Sequence, residues 1–130
     1  MGGKKYRILI ADDDDSFREL MEAMLESENI EILLAEDGED ALKKFEHEKP
    51  DLLITDMMMP KVWGLDLIGA VQGVDPGFPI IAISGISKKD ELERLKRLGV
   101  RAVFSKPFKT AELKETVMNC LQGKDAGQAS

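Results

Sequence analysis

The chain has 130 residues, 43% apolar and 33% charged, with a net charge of −7; that is enough for one domain around one core. It is too acidic for direct nucleic-acid binding, which needs a basic face, or for docking on anionic membrane. Its single cysteine, Cys120, excludes an internal disulfide and the cysteine-based zinc and redox motifs, and fits a reducing, cytoplasmic compartment.

The start, MGGKKYRILIADDDD, sets basic residues before an apolar run of only four residues, too short for a signal peptide. No apolar run is long enough to span a bilayer. Five short runs, RILIA (7–11), EILLA (31–35), DLLIT (51–55), IIAIS (80–84) and RAVFS (101–105), are rich in Ile, Leu and Val with little polar alternation. That is the pattern of strands buried on both faces. Helical spacing follows each. Phe17, Leu20, Met21, Met24 and Leu25 form one stripe; Ala41, Leu42 and Phe45 mark a second helix, and Leu65, Ile68 and Val71 a third, which GVDPG stops. Leu92, Leu95 and Leu98 mark a fourth, ended by Gly99. Leu113, Val117, Cys120 and Leu121 mark a fifth, with Thr110 as its expected cap. Five strand–helix units imply an α/β fold whose parallel sheet is covered on both faces. The ends, MGGKK (1–5) and 122–130, read as frayed termini around a unit of residues 6–121. His47, within EHEK, reads as a solvated helix residue.

In open parallel sheets, ligands bind beyond the carboxyl ends of the strands, and four of the five strand ends carry polar groups. Asp12, Asp13, Asp14 and Asp15 follow the first strand and Asp56 the third. Ser84 ends the fourth before Gly85, and Lys106 and Pro107 follow the fifth. Asp14 and Asp15 fit N-capping and favourable helix-dipole charge. Asp12, Asp13 and Asp56 at one edge would repel one another, and a hard divalent cation such as Mg²⁺ relieves that. Lys106 offers a point charge for a phosphate and Ser84 a hydroxyl donor. A carboxylate between such groups is a candidate nucleophile, giving an aspartyl phosphate; phosphoryl transfer needs mainly positioning and charge neutralisation. The neighbouring Met57, Met58 and Met59 read as packing residues.

ILIADDDD, LLITDMMMP, IIAISG and FSKPF resemble the four signature stretches of a response-regulator receiver domain of two-component signalling, of the single-domain chemotaxis-regulator kind. The similarity spans roughly residues 6–121. The resemblance implies a doubly wound, flavodoxin-like (βα)5 fold with strand order 2-1-3-4-5. It implies that Asp56 accepts a phosphoryl group from a histidine kinase or histidine phosphotransfer protein. Asp13 would bind Mg²⁺ directly and Asp12 through water, with Asp56 and the backbone carbonyl of Met58 completing the protein ligands. Ser84 and Lys106 would hold the phosphoryl oxygens, and Lys106–Pro107 would be a cis peptide.

The sequence departs from the family pattern in two places. The position three before the lysine, usually aromatic, is Val103; Phe104, one residue later, is expected on the other side of the sheet by strand alternation. Activation is therefore expected to work through Ser84, with little contribution from position 103. Trp63, where the family usually has a small or polar residue, is either a contact residue or a lid on the proline loop. Met58 and Ile86, which in the family border the path of the hydrolytic water, are both apolar, so slow self-dephosphorylation is expected. No output domain fits in 130 residues, so the chain reads as a stand-alone receiver, monomeric or weakly dimeric, that signals through a downstream protein partner or a phosphorelay. The alternative is a phosphorylation-independent interaction module of the same fold; Val103 favours it and the complete Asp/Ser/Lys set opposes it. A flavodoxin-like cofactor binder would need a phosphate loop where four acids stand, and a haloacid-dehalogenase-like phosphatase a second aspartate at Met58.

Overall fold

The computed structural model describes residues 5–57, 64–84 and 89–123, with the side chains of 89–91 excepted. Met58, Met59, Pro60, Trp63, Gly85, Ile86 and the terminal stretches 1–4 and 124–130 lie outside the described residues.

Among the described residues ten elements alternate as the sequence predicts: β1 (Tyr6–Ala11), α1 (Asp15–Leu25), β2 (Ile30–Ala35), α2 (Gly38–Glu48), β3 (Leu52–Asp56), α3 (Gly64–Val74), β4 (Ile80–Ser84), α4 (Lys89–Arg97), β5 (Ala102–Ser105) and α5 (Thr110–Leu121). All four strand pairings are parallel, in the order β2-β1-β3-β4-β5. From β1 the chain goes to β2 on one side and to β3 on the other, so the carboxyl ends of β1 and β3 flank the topological switch point, where this class of fold builds its sites. β3 takes in Asp56 as its last residue, all five of its residues being buried, so the acid sits inside the sheet edge rather than in the loop beyond it.

Side chains alternate between two cores. Leu9, Leu53, Ile80 and Ala82 pack with Ala41, Phe45, Leu67, Ile68, Val71 and Leu95 of α2, α3 and α4. Ile8, Ile10, Leu52, Ile54, Ile81 and Ile83 pack with Met21, Leu25, Leu113, Val117 and Cys120 of α1 and α5. Each fully buried Leu or Ile contributes about 2 kcal/mol of transfer free energy, so a continuous apolar strand with helices on both faces is the favoured state of these runs. Val103 packs in the first core and Phe104 in the second, the opposite faces that strand alternation predicts.

The helix ends follow from local chemistry. Asp14 caps α1, its Oδ1 accepting from the amides of Ser16 at 2.9 Å and Phe17 at 3.3 Å, and Asp37 caps α2 through the Asp40 amide. Such caps contribute about 1 kcal/mol each. Gly99 ends α4 at φ +87°, and the Gln72 side-chain amide donates to the Leu98 carbonyl beside it. Two expectations are corrected. Thr110 is not the cap of α5: Lys109 occupies that position without a side-chain bond, and Thr110, already helical, points its hydroxyl at the Met24 sulfur, 3.5 Å away. Leu20 is 54% exposed, because it lies about 120° round the helix from the midline of buried Met21 and Leu25. His47 is exposed on α2, its Nδ1 2.8 Å from the Lys43 carbonyl oxygen. Among the described residues, no helix is long and apolar enough to cross a membrane.

Candidate functional site

The carboxyl ends of β1, β3 and β5 bring four charged side chains together. Carboxylate oxygens of Asp12, Asp13 and Asp56 lie within 4.8 Å of one another. The Lys106 Nζ stands 3.4 Å from Asp12 Oδ2 and 3.9 Å from Asp56 Oδ2. Asp12 and Asp56 are buried while Asp13 is exposed, so the cluster opens to solvent on one side.

Each side chain is placed by its own element. The Asp12 amide donates to the Ala35 carbonyl, extending the β1–β2 ladder by one bond. Its Oδ1 accepts from the Asp14 amide at 2.9 Å, which turns the chain into α1. Arg18, from the first turns of α1, donates through Nη1 to the Asp12 carbonyl at 2.7 Å and pairs with Asp15. Asp56 ends β3 opposite Ile83 of β4, and the Thr55 hydroxyl donates to the Asp56 carbonyl at 2.9 Å. The Lys106 amide donates to the Ser84 carbonyl at 3.1 Å, and Lys106–Pro107 is cis, as the resemblance implies. Ser84 is buried at the end of β4, in register with Ser105. By alternation it is in phase with Ile80 and Ala82 on the α3 side, whereas Asp12, Asp56 and Lys106 are in phase with the α1 and α5 side.

Asp12 carries the electrostatic cost of the cluster. Burial pushes its carboxyl above the ordinary value and the Asp56 charge adds to this, while the Asp14 amide and the Lys106 ammonium pull it down. A carboxyl whose folded pKa is raised makes the folded state bind protons more tightly than the unfolded state. Stability therefore falls as pH rises from the usual carboxylate value, about 3.9, through the higher folded one. Asp12→Asn removes that penalty. In chelator at neutral pH its melting temperature should exceed wild type by roughly 2–5 °C, the gain vanishing towards acid pH and shrinking when Mg²⁺ is added. An unchanged or lower melting temperature in chelator would show that Asp12 is not strained.

The residues present fit a hard divalent cation: three oxygen donors, one exposed to water, with more negative charge than one lysine offsets. The Met58 carbonyl, expected as a further ligand, lies outside the described residues. Arg18, Thr55 and Gly64 were not singled out by the sequence reading, and Phe17 only as a core residue. Arg18 alone left a signal, its spacing of three from Asp15.

Sheet order and acid cluster together define a receiver-type α/β domain. The chain belongs to the response regulator receiver domain family, whose pattern it matches over residues 8–118, and this places it among the signalling domains of two-component systems. It is 32% identical to the alkaline phosphatase synthesis transcriptional regulatory protein PhoP of Bacillus subtilis, over 95% of this chain and 52% of that protein. It is 35% identical to the Regulator of RpoS of Escherichia coli, over 88% of this chain and 34% of that protein. The chain thus spans about half of the first of these relatives and about a third of the second. Among solved structures it resembles a CheY-like response regulator receiver domain protein from Methanospirillum hungatei, with a TM-score of 0.86 and 25% identity, over 98% of this chain and 100% of that one.

Proposed function

We propose that the chain is a phosphorylation-dependent signalling receiver in which Asp56 accepts a phosphoryl group from the phosphohistidine of a sensor histidine kinase or histidine phosphotransfer protein. One observation carries this: buried Asp56 shares one cluster of carboxylate oxygens with Asp12 and Asp13, and the Lys106 ammonium stands 3.9 Å from Asp56 and 3.4 Å from Asp12. One Oδ of Asp56 attacks phosphorus as the P–N bond breaks. The electron pair returns to the ring nitrogen, and the ring, already protonated at its other nitrogen, leaves as neutral imidazole. Lys106 stays protonated and neutralises charge on the phosphoryl oxygens, and Ser84 donates its hydroxyl to one of them. Mg²⁺, held by Asp12, Asp13, Asp56 and the Met58 carbonyl, would supply charge neutralisation when bound. Positioning and charge are most of what phosphoryl transfer requires.

The acyl phosphate ends when water attacks phosphorus, the carboxylate oxygen of Asp56 keeps the electron pair of the broken P–O bond, and inorganic phosphate leaves. In the family the side chains at positions 58 and 86 border that path; Met58 and Ile86 are apolar and cannot hydrogen-bond a water, so the signal is sustained. A downstream protein partner then reads the altered surface. The protein acts in the cytoplasm as a monomer or weak dimer, with residues 6–121 as its working unit. A phosphorylation-independent module is the second reading, favoured by Val103 in the place of a movable ring.

The test is incubation with acetyl phosphate and Mg²⁺, then removal of the donor and measurement of phosphate release. Labelling should require Mg²⁺ and persist for minutes or longer. No labelling would favour the phosphorylation-independent module, and loss within seconds would contradict slow hydrolysis.

A further inference from the structure

The Lys106 ammonium has a third neighbour besides the two carboxylates. Its Nζ lies 4.1 Å from the centroid of the Phe17 ring, within the reach of a cation–π contact. Phe17 is held in turn from the other end of the same loop: Phe108, two residues after Lys106, meets its ring edge-to-face at 6.1 Å and 88°. Phe104 of β5 supports Phe108 at 5.8 Å and 67°. The Phe17 backbone is fixed by the Asp14 cap, and the Asp14 amide donates to Asp12 Oδ1. The contacts close a circuit, from Asp12 to Asp14, to Phe17, to Lys106 and back to Asp12 Oδ2.

We propose that Phe17 is a positioning residue for the phosphoryl-transfer step, holding the Lys106 ammonium on its ring face between Asp12 and Asp56. The proposal rests on the phosphoacceptor function given above. The distances from Nζ to the two carboxylates, 3.4 and 3.9 Å, are longer than the 2.7–2.9 Å typical of charge-assisted hydrogen bonds. The ammonium donates one long hydrogen bond to Asp12 Oδ2 and pairs with Asp56 at a longer distance still, so neither carboxylate holds it tightly. A lysine on a flexible four-carbon stem then needs another restraint to stay central. An aromatic face attracts the cation through its quadrupole without offering a lone pair that would compete with a phosphoryl oxygen. Lys106 is kept close to where the incoming charge develops and is left free to turn its N–H groups towards it. An ordinary core phenylalanine would be replaceable by leucine at no cost to the reaction; a positioning ring would not.

The experiment compares wild type, Phe17→Leu and Phe17→Tyr, all folded by thermal melting, in the rate of labelling by saturating acetyl phosphate with Mg²⁺. Leucine keeps the apolar bulk and removes the quadrupole; tyrosine keeps the ring. Phe17→Leu should be about fivefold slower and Phe17→Tyr within about twofold of wild type. The Lys106 Hε protons should show an upfield ring-current shift in wild type and Phe17→Tyr that is lost in Phe17→Leu. A leucine variant labelled at the wild-type rate, or a tyrosine variant as slow as leucine, overturns this role alone. A wild type that takes up no phosphoryl group overturns the phosphoacceptor function and this role with it.

Discussion

Asp56→Asn should take up no phosphoryl group from acetyl phosphate under conditions that label wild type to completion. The amide is nearly isosteric with the carboxylate, so the packing of β3 is kept, but the amide oxygen carries no full charge and is a poor nucleophile. Asp12 and Asp13 remain in the variant and do not substitute. Asp13 is exposed, and Asp12 Oδ1 is engaged by the Asp14 amide while its Oδ2 faces Lys106. The loss is therefore expected to be complete, as judged by intact mass. Modification of the variant at the wild-type rate would move the acceptor to another side chain.

The second large effect is structural. A Cβ built on Gly64 would lie 2.7 Å from the Asp56 carbonyl oxygen and 2.7 Å from the Met57 Cα. Both neighbours are backbone, and Asp56 is tied into the sheet through the Thr55 hydroxyl and the β3–β4 pairing, so neither can give way cheaply. Gly64→Ala should cost about 3 kcal/mol, the upper part of the range for overpacking a tight site, and lower the melting temperature by about 10 °C. Labelling of the folded fraction should slow as well, because the strain falls on the residue that carries the phosphoacceptor. A melting temperature within about 2 °C of wild type would mean that the start of α3 moves away freely.

The fold was legible because its signals are local and repeated. Each apolar run is short, each helix carries a stripe, and β1 to β5 follow from composition alone. Residues that hold charge at strand ends were legible too, since an acid such as Asp56 directly after DLLIT has few structural reasons to be there. The contacts that aim those residues were not. Phe17 falls on the same periodic stripe as Met21 and Leu25, and nothing in that period tells a core phenylalanine from one that faces an ammonium arriving from Lys106, far along the chain. Gly64 follows Trp63 without a turn signal, and its requirement appears only when α3 returns against the Asp56 carbonyl. Thr110 and Leu20 differ from expectation for the same reason, one helix beginning a residue early and the other burying a narrower face than its apolar spacing suggests.

The central claim is that a single carboxylate, Asp56, becomes an acyl phosphate. The most direct measurement labels wild-type protein with acetyl phosphate and Mg²⁺, then reduces it with borohydride, which converts an aspartyl phosphate to homoserine, and maps the product by peptide mass spectrometry. The account predicts homoserine at position 56 alone, and none when Mg²⁺ is chelated beforehand. Homoserine at Asp12 or Asp13, or an unmodified Asp56 in protein that has gained a phosphoryl group, would contradict it.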